Sequence, residues 1–380
     1  MRSRETTTDL YIHGVGHFHP ENCIDNSFLS SLHIGTDEAW ILERVGIRCR
    51  RTVLPLEYIA STRNERPAEA AAVSLYTNAQ TGAMAARHAL ERAGLQPTDI
   101  GLVIAGGCSP QYSIPAEACL VAAELGVHAV AYDLNSACSS FAVQLHHLRG
   151  MRPEALPDYV LVVNIENNTR TVNYSDRRTA VLWGDGSAAA VVSARVPAPV
   201  RVTHSVVHSD PAGWSKVVIP AGGHFTQDGS AVQGFAIRKS VSTLTELAKH
   251  VRGDVANLHF IGHQANLLML NAVCERGQID PARHMRNVDE YGNCGAAGAP
   301  SVLSQHWERL PSHAEIALVV VGSGLTWGGL LIEVGRSERN TPSSCSARSS
   351  PRRSSSPVRG ARWSRTRRPR ASRRSPARPC

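Results

Sequence analysis

No apolar run in the 380-residue chain approaches the roughly 18 residues of a helical membrane span. The opening stretch, MRSRETTTDLYIHGVG, lacks the apolar core of a secretory leader. No membrane contact and a cytoplasmic location are therefore expected. The nine cysteines contain no Cys-x-x-Cys pair, so no structural zinc and no other metal is expected. Their number is odd, their spacing is irregular, and the chain is too long to need staples. They read mostly as free thiols in a reducing compartment. The body has no basic stretch interleaved with aromatics, which argues against nucleic acid as a partner.

What is present begins with a divided charge. The chain carries +8 overall, but residues 336–380 hold 14 Arg against one Glu, a net of +13. The preceding 335 residues hold 26 basic and 31 acidic groups, a net of −5. The tail, rich in Arg, Ser and Pro and almost free of aliphatic residues, buries too little surface to fold and is expected to be disordered. The body is an ordinary acidic globular chain.

Within the body, short β-branched runs such as DLYIHGVG, IGLVIAGG, HAVAYDL, DYVLVVNIE, NLHFIGH and IALVVVGSG alternate with helical periodicity. TGAMAARHALERAGL, AEACLVAAELG and SVSTLTELAKHVRG are the clearest helices. Strands buried on both faces and alternating with helices imply an α/β fold with largely parallel sheets. A break at VPAPV, residues 196–200, divides the body. Each part ends in a glycine-marked strand element, at Gly184 and at Gly322. The expected organisation is two related halves, 1–197 and 198–335, followed by the tail, 336–380.

Three residues stand out at strand-to-helix turns. Cys138 lies in YDLNSACSSF, where a helix N-terminus favours a thiolate. His263 follows a strand in FIGHQANLLML, and Asn293 lies in the glycine-rich turn of DEYGNCGAAGAPSV. In open α/β sheets, sites form at the carboxyl ends of strands. Cys108, Cys119, Cys274 and Cys294 sit among small and apolar residues and read as core or turn thiols.

The ordered motifs NSACSSF, GHQAN, YGNCGAAGAPS and GSGLTWGG, with TDEAWILERVGIRCRR and SDRRTAVLWGDGSAAAVV, resemble the β-ketoacyl-acyl-carrier-protein synthase III family of the thiolase superfamily. The resemblance covers residues 10–335. It implies a five-layered αβαβα fold, a homodimer and a ping-pong Claisen condensation. Cys138 would take an acyl group from acyl-CoA, with the backbone N–H groups of Cys138 and Ser323 meeting the oxyanion. His263 and Asn293 would then stabilise the enolate left when a malonyl thioester loses carbon dioxide. Trp40, Arg44 and Arg177 match the coenzyme A-binding positions, and Ile114 the residue closing the acyl pocket across the dimer. No cofactor is implied beyond the coenzyme A thioester as substrate, and an acyl carrier protein is the implied partner.

The chain departs from the family in three places. Leu268 stands where a basic docking residue is usual, leaving Arg238 and Lys239 to supply positive charge. Ile114 replaces a larger aromatic, and residues 53–82 make a longer link than usual. Two alternatives stay open: acyl transfer to an alcohol or amine without decarboxylation, and head-to-head condensation of two acyl thioesters. The second needs a base, for which Glu117 is the candidate.

Overall fold

The computed structural model describes residues 9–335. The expected disorder of the Arg-rich tail lies outside the described residues. The first half runs β1 (Leu10–Phe18), α1 (Asn78–Ala93), β2 (Leu102–Gly106), α2 (Glu117–Leu125), β3 (Val130–Asp133), α3 (Ser140–Gly150), β4 (Val160–Glu166) and β5 (Gly186–Ser193). The second runs β6 (Val200–Ser209), α4 (Gly229–Ala248), β7 (His259–Gly262), α5 (Leu267–Gly277), β8 (His284–Met285), α6 (Gly295–His306), β9 (Glu315–Gly322) and β10 (Thr326–Val334). The order of elements is the same in both.

Strand pairing repeats as well. The sheet order is β8-β7-β9-β10-β6-β1-β5-β4-β2-β3. In the first half β1–β5 and β4–β5 are antiparallel, while β2–β4 and β2–β3 are parallel. In the second, β6–β10 and β9–β10 are antiparallel, while β7–β9 and β7–β8 are parallel. The halves join where Leu10–Ile12 pairs with Val200–Val202.

Sequence chemistry explains the layers. Strands β2 and β4 are buried at every residue, so each half-sheet needs helices on both faces. Helices α1 and α2 cover the outer face of the first half-sheet, and α4 and α5 that of the second. Helices α3 and α6 fill the middle and touch strands of both halves. The first ten residues of α6, GAAGAPSVLS, are all buried. Their small side chains let a helix fit between the two half-sheets. The result is the thiolase-like αβαβα arrangement.

Local signals set the boundaries. Helix α1 starts with a capping box between Thr77 and Gln80 and stops at Gly94 with φ +67°. Strand β3, expected to be buried, is a mostly exposed sheet edge. The cysteine reading needs one correction. Cys23 and Cys49 are disulfide-bonded, with Cα atoms 6.0 Å apart. They are diagonal neighbours on one face of the two-stranded antiparallel sheet Asn22–Asp25/Cys49–Thr52, a pairing that their 26-residue separation hid. Cys108, Cys119, Cys138, Cys274 and Cys294 are free.

Candidate active site

The candidate residues all follow the carboxyl ends of strands, two of them at the edges of the sheet. Strand β3 leads to Cys138, β7 to His263, β8 to Asn293 and β9 to Ser323. Cys138 is 7% exposed and ends the turn before α3. Ala137, at φ +46°, makes that turn tight. The surrounding small polar residues knit it together. Ser140 Oγ donates to Ala137 O at 2.6 Å, Ser139 Oγ donates to Ser136 O at 2.7 Å, and the Ala137 N–H donates to Asn135 Oδ1 at 2.9 Å.

The Cys138 sulfur lies 3.5 Å from Cys108 Sγ, and His263 is close enough to act on its charge. Its thiol is drawn down to about 5, first by the hydrogen bond it shares with Cys108 and then by His263, against the effect of burial. His263 is buried, and its Nδ1 has no partner among the described residues. Gln264 holds this turn: its Nε2 donates to Gly262 O at 2.7 Å, and its Oε1 accepts from Asn287 N–H at 3.0 Å. Asn293 Oδ1 accepts from Gly295 N–H at 3.0 Å at the start of α6. That bond fixes which end of the amide is oxygen and leaves the NH₂ group as the donor. A bridge from Asn293 to Trp183 ties this turn to the first half.

A second cluster lies on the helix Glu38–Arg44, capped by Asp37. The Arg177 guanidinium sits 5.0 Å over the Trp40 ring and donates to Gly35 O. Arg44, one turn on from Trp40, is exposed on the same helix face. Ile114 is 85% exposed at a loop tip. It lines neither of the cavities built by its own loop.

Two family models match the chain. Residues 132–211 match 3-oxoacyl-[acyl-carrier-protein] synthase III, and residues 254–334 match its C-terminal model. β-Ketoacyl-[acyl-carrier-protein] synthase III 2 of Streptomyces coelicolor is 33% identical over 325 residues, covering 84% of this chain and 92% of that one. The Clostridioides difficile synthase III is 30% identical over 345 residues, covering 86% and 98%. The chain belongs to the β-ketoacyl-[acyl-carrier-protein] synthase III family. Among solved structures, the synthase III of Aquifex aeolicus VF5 superposes with a TM-score of 0.76 at 27% identity, covering 85% of this chain and 99% of that one. The priming β-ketosynthase of the R1128 polyketide pathway gives 0.73 at 26%, covering 87% and 97%. Xanthomonas campestris OleA, at 24% identity and TM-score 0.71 over 85% and 96%, shares the fold.

As a synthase III, the protein is an acyltransferase of the condensing kind. Its site also holds two residues that sequence reasoning passed over. Cys108 read as an inert turn thiol, yet it touches Cys138. Glu166 ends β4 and is fully buried. Its carboxyl accepts N–H groups from Ala296 at 2.7 Å, Cys108 at 2.9 Å and the Asn168 side chain at 2.8 Å. Burial and the neighbouring Cys138 charge push it up to about 8. The apolar run before Glu166 pointed to its strand; nothing local pointed to its partners.

One glycine is required by close approach. A Cβ at Gly322 would lie 2.8 Å from Ser139 N and 3.1 Å from Ser136 O. Gly322→Ala is therefore expected to displace the nucleophile turn and cost roughly 1–3 kcal/mol. Thermal unfolding and the alkylation rate of Cys138 check this; an unchanged rate would refute the contact.

Proposed function

We propose that the enzyme loads an acyl group from a coenzyme A thioester onto Cys138 and condenses it with a malonyl thioester, extending it by two carbons. The observation that carries this reading is a buried thiol at a helix start, 3.5 Å from a second thiol and beside the His263 imidazole, with the Asn293 carboxamide oriented as a donor at the start of α6. The Cys138 thiolate attacks the thioester carbonyl and expels the coenzyme A thiolate. The N–H groups of Cys138 and Ser323 are assigned to the transient oxyanion. Gly322 packs against the Cys138–Ser139 turn, which supports Ser323 in this role. The malonyl thioester then loses carbon dioxide, and its two bonding electrons become an enolate. His263 and the Asn293 NH₂ donate to the enolate oxygen. The enolate carbon attacks the acyl-cysteine, and the Cys138 thiolate leaves.

Trp40, Arg44 and Arg177 are assigned to coenzyme A, the indole stacking on the adenine and the guanidinium groups meeting phosphate. An acyl carrier protein is the proposed bearer of the malonyl group. Arg238 is exposed for docking, whereas Lys239 sits 4.3 Å over the Trp327 ring. A homodimer is supported by the unpaired edge of β3 with exposed Val130 and Tyr132, beside exposed Tyr112 and Ile114. Ile114 then has a partner subunit to reach. A cytoplasmic location is proposed on the five free thiols among the described residues, and no described helix is long and apolar enough to cross a membrane.

Head-to-head condensation gains no support from Glu117. Its carboxylate accepts from Gln111 N–H at 2.7 Å and Asn78 Nδ2 at 2.6 Å, within its own surroundings.

Intact-protein mass spectrometry with acetyl- to dodecanoyl-CoA, including branched and dicarboxylic members, tests the reading. The expected result is a mass gain at Cys138 that malonyl thioester discharges as a β-keto product. A gain that malonyl thioester leaves untouched refutes condensation.

A further inference from the structure

The condensation described above uses one thiol, but the site holds two. Cys108 follows β2, the first-half counterpart of β7, at whose end His263 stands. Cys138 precedes α3, the counterpart of α6, which Asn293 precedes. Cys108 and Cys138 are thus the first half's topological equivalents of His263 and Asn293. The position of Cys108 is fixed on two sides. Its N–H donates to buried Glu166 at 2.9 Å. The preceding Gly107 packs so closely that a Cβ there would lie 2.2 Å from Ile165 O. The two sulfurs, 3.5 Å apart, are within S–H···S hydrogen-bonding reach. Cys108 also lines a cavity of about 400 Å³ with Pro67, Ala71, Tyr112 and Ile219, so residues of the long link 53–82 help wall the space beside it.

We propose that Cys108 is a positioning residue for Cys138: its S–H donates to the Cys138 thiolate, keeping that sulfur charged and aimed. The proposal rests on Cys138 being the nucleophile. A hydrogen bond to the charged form of a group favours that form. The thiolate faces Cys108 from the end of β2, His263 from the end of β7 and Glu166 from the end of β4. The first two stabilise it; the third, kept protonated by burial and by the thiolate's own charge, holds Cys108 in place. Cys108 itself is pushed well above the ordinary thiol range, first by its bond to Cys138 and then by burial, so it stays protonated and able to donate.

The test follows alkylation of the Cys138 peptide by iodoacetamide across pH 4–9, with exposed Cys119 as internal reference. Only the thiolate reacts, so the rate rises with pH. In the wild-type chain the midpoint is expected at about 5. Cys108→Ala should move it up by about one unit or more, and Cys108→Ser, which keeps a donor, should stay within about half a unit of wild type. Coincident wild-type and Cys108→Ala curves would overturn the proposal, as would a Cys108→Ser curve displaced as far as that of Cys108→Ala. Acyl loading is scored separately. A displaced Cys108→Ala curve in a chain that no acyl-CoA loads keeps the thiol pair and removes the acyl-enzyme; loading with undisplaced curves removes the pair alone.

Discussion

Cys138→Ala is expected to abolish both half-reactions: no mass gain from any acyl-CoA, and no β-keto product with malonyl thioester. The fall in turnover should be at least about four orders of magnitude, the scale on which removal of a covalent nucleophile acts. His263, Asn293 and Cys108 would remain, and burial keeps the Cys108 thiol protonated and a poor nucleophile. The substitution removes one buried sulfur beside Cys108 and should leave the fold intact, because the turn is held by Ser136, Ser139, Ser140 and Asn135 rather than by the thiol. Circular dichroism should therefore match wild type while intact mass shows no adduct. An adduct in this variant would move the nucleophile elsewhere.

Asn293→Ala should separate the two halves of the reaction. Acyl loading needs the thiolate and the oxyanion donors, none of which Asn293 supplies, so loading should stay within about twofold. Enolate formation needs the amide NH₂, and removing one such donor costs roughly 10²–10³ in rate. Rapid-quench measurement of acyl loading and of malonyl-dependent discharge distinguishes the two. Equal losses in both steps would refute the assigned role. The variant also deprives the Gly295 N–H of its acceptor at the start of α6, a loss of about 1 kcal/mol on the scale of helix caps. A small fall in melting temperature should accompany the kinetic effect without explaining it.

The sequence made the strand ends visible because each is punctuated locally. Cys138 sits between an apolar run and a helix, His263 after a short strand, and Asn293 beside glycines. Helix α4 was legible only in its second part, since its first residues, GSAVQG, carry two glycines and little periodicity. The edge position of β3 was hidden, because exposure there depends on which strand pairs last. Cys108 and Glu166 were missed for the same reason. GGCSP reads as a loop, and a glutamate closing an apolar strand reads as its solvated end. Only the parallel pairing of β2 with β4 brings Glu166 beside Cys108, and only the turn after β3 brings Cys138 beside both. The Cys23–Cys49 pair likewise depends on the register of two antiparallel strands that composition does not encode.

The nucleophile hangs from the first half of the chain and its imidazole and carboxamide from the second, with α3 and α6 wedged between the two half-sheets. The catalyst is therefore a seam. Its working parts share no local segment, so neither half alone has chemistry to lose, and fraying at a surface loop leaves the reacting groups in register. What ends activity is separation along the central layer, where the buried face of α6 lets go. Catalysis in this protein should fail in one cooperative step, with the same midpoint as global unfolding, rather than fade ahead of it.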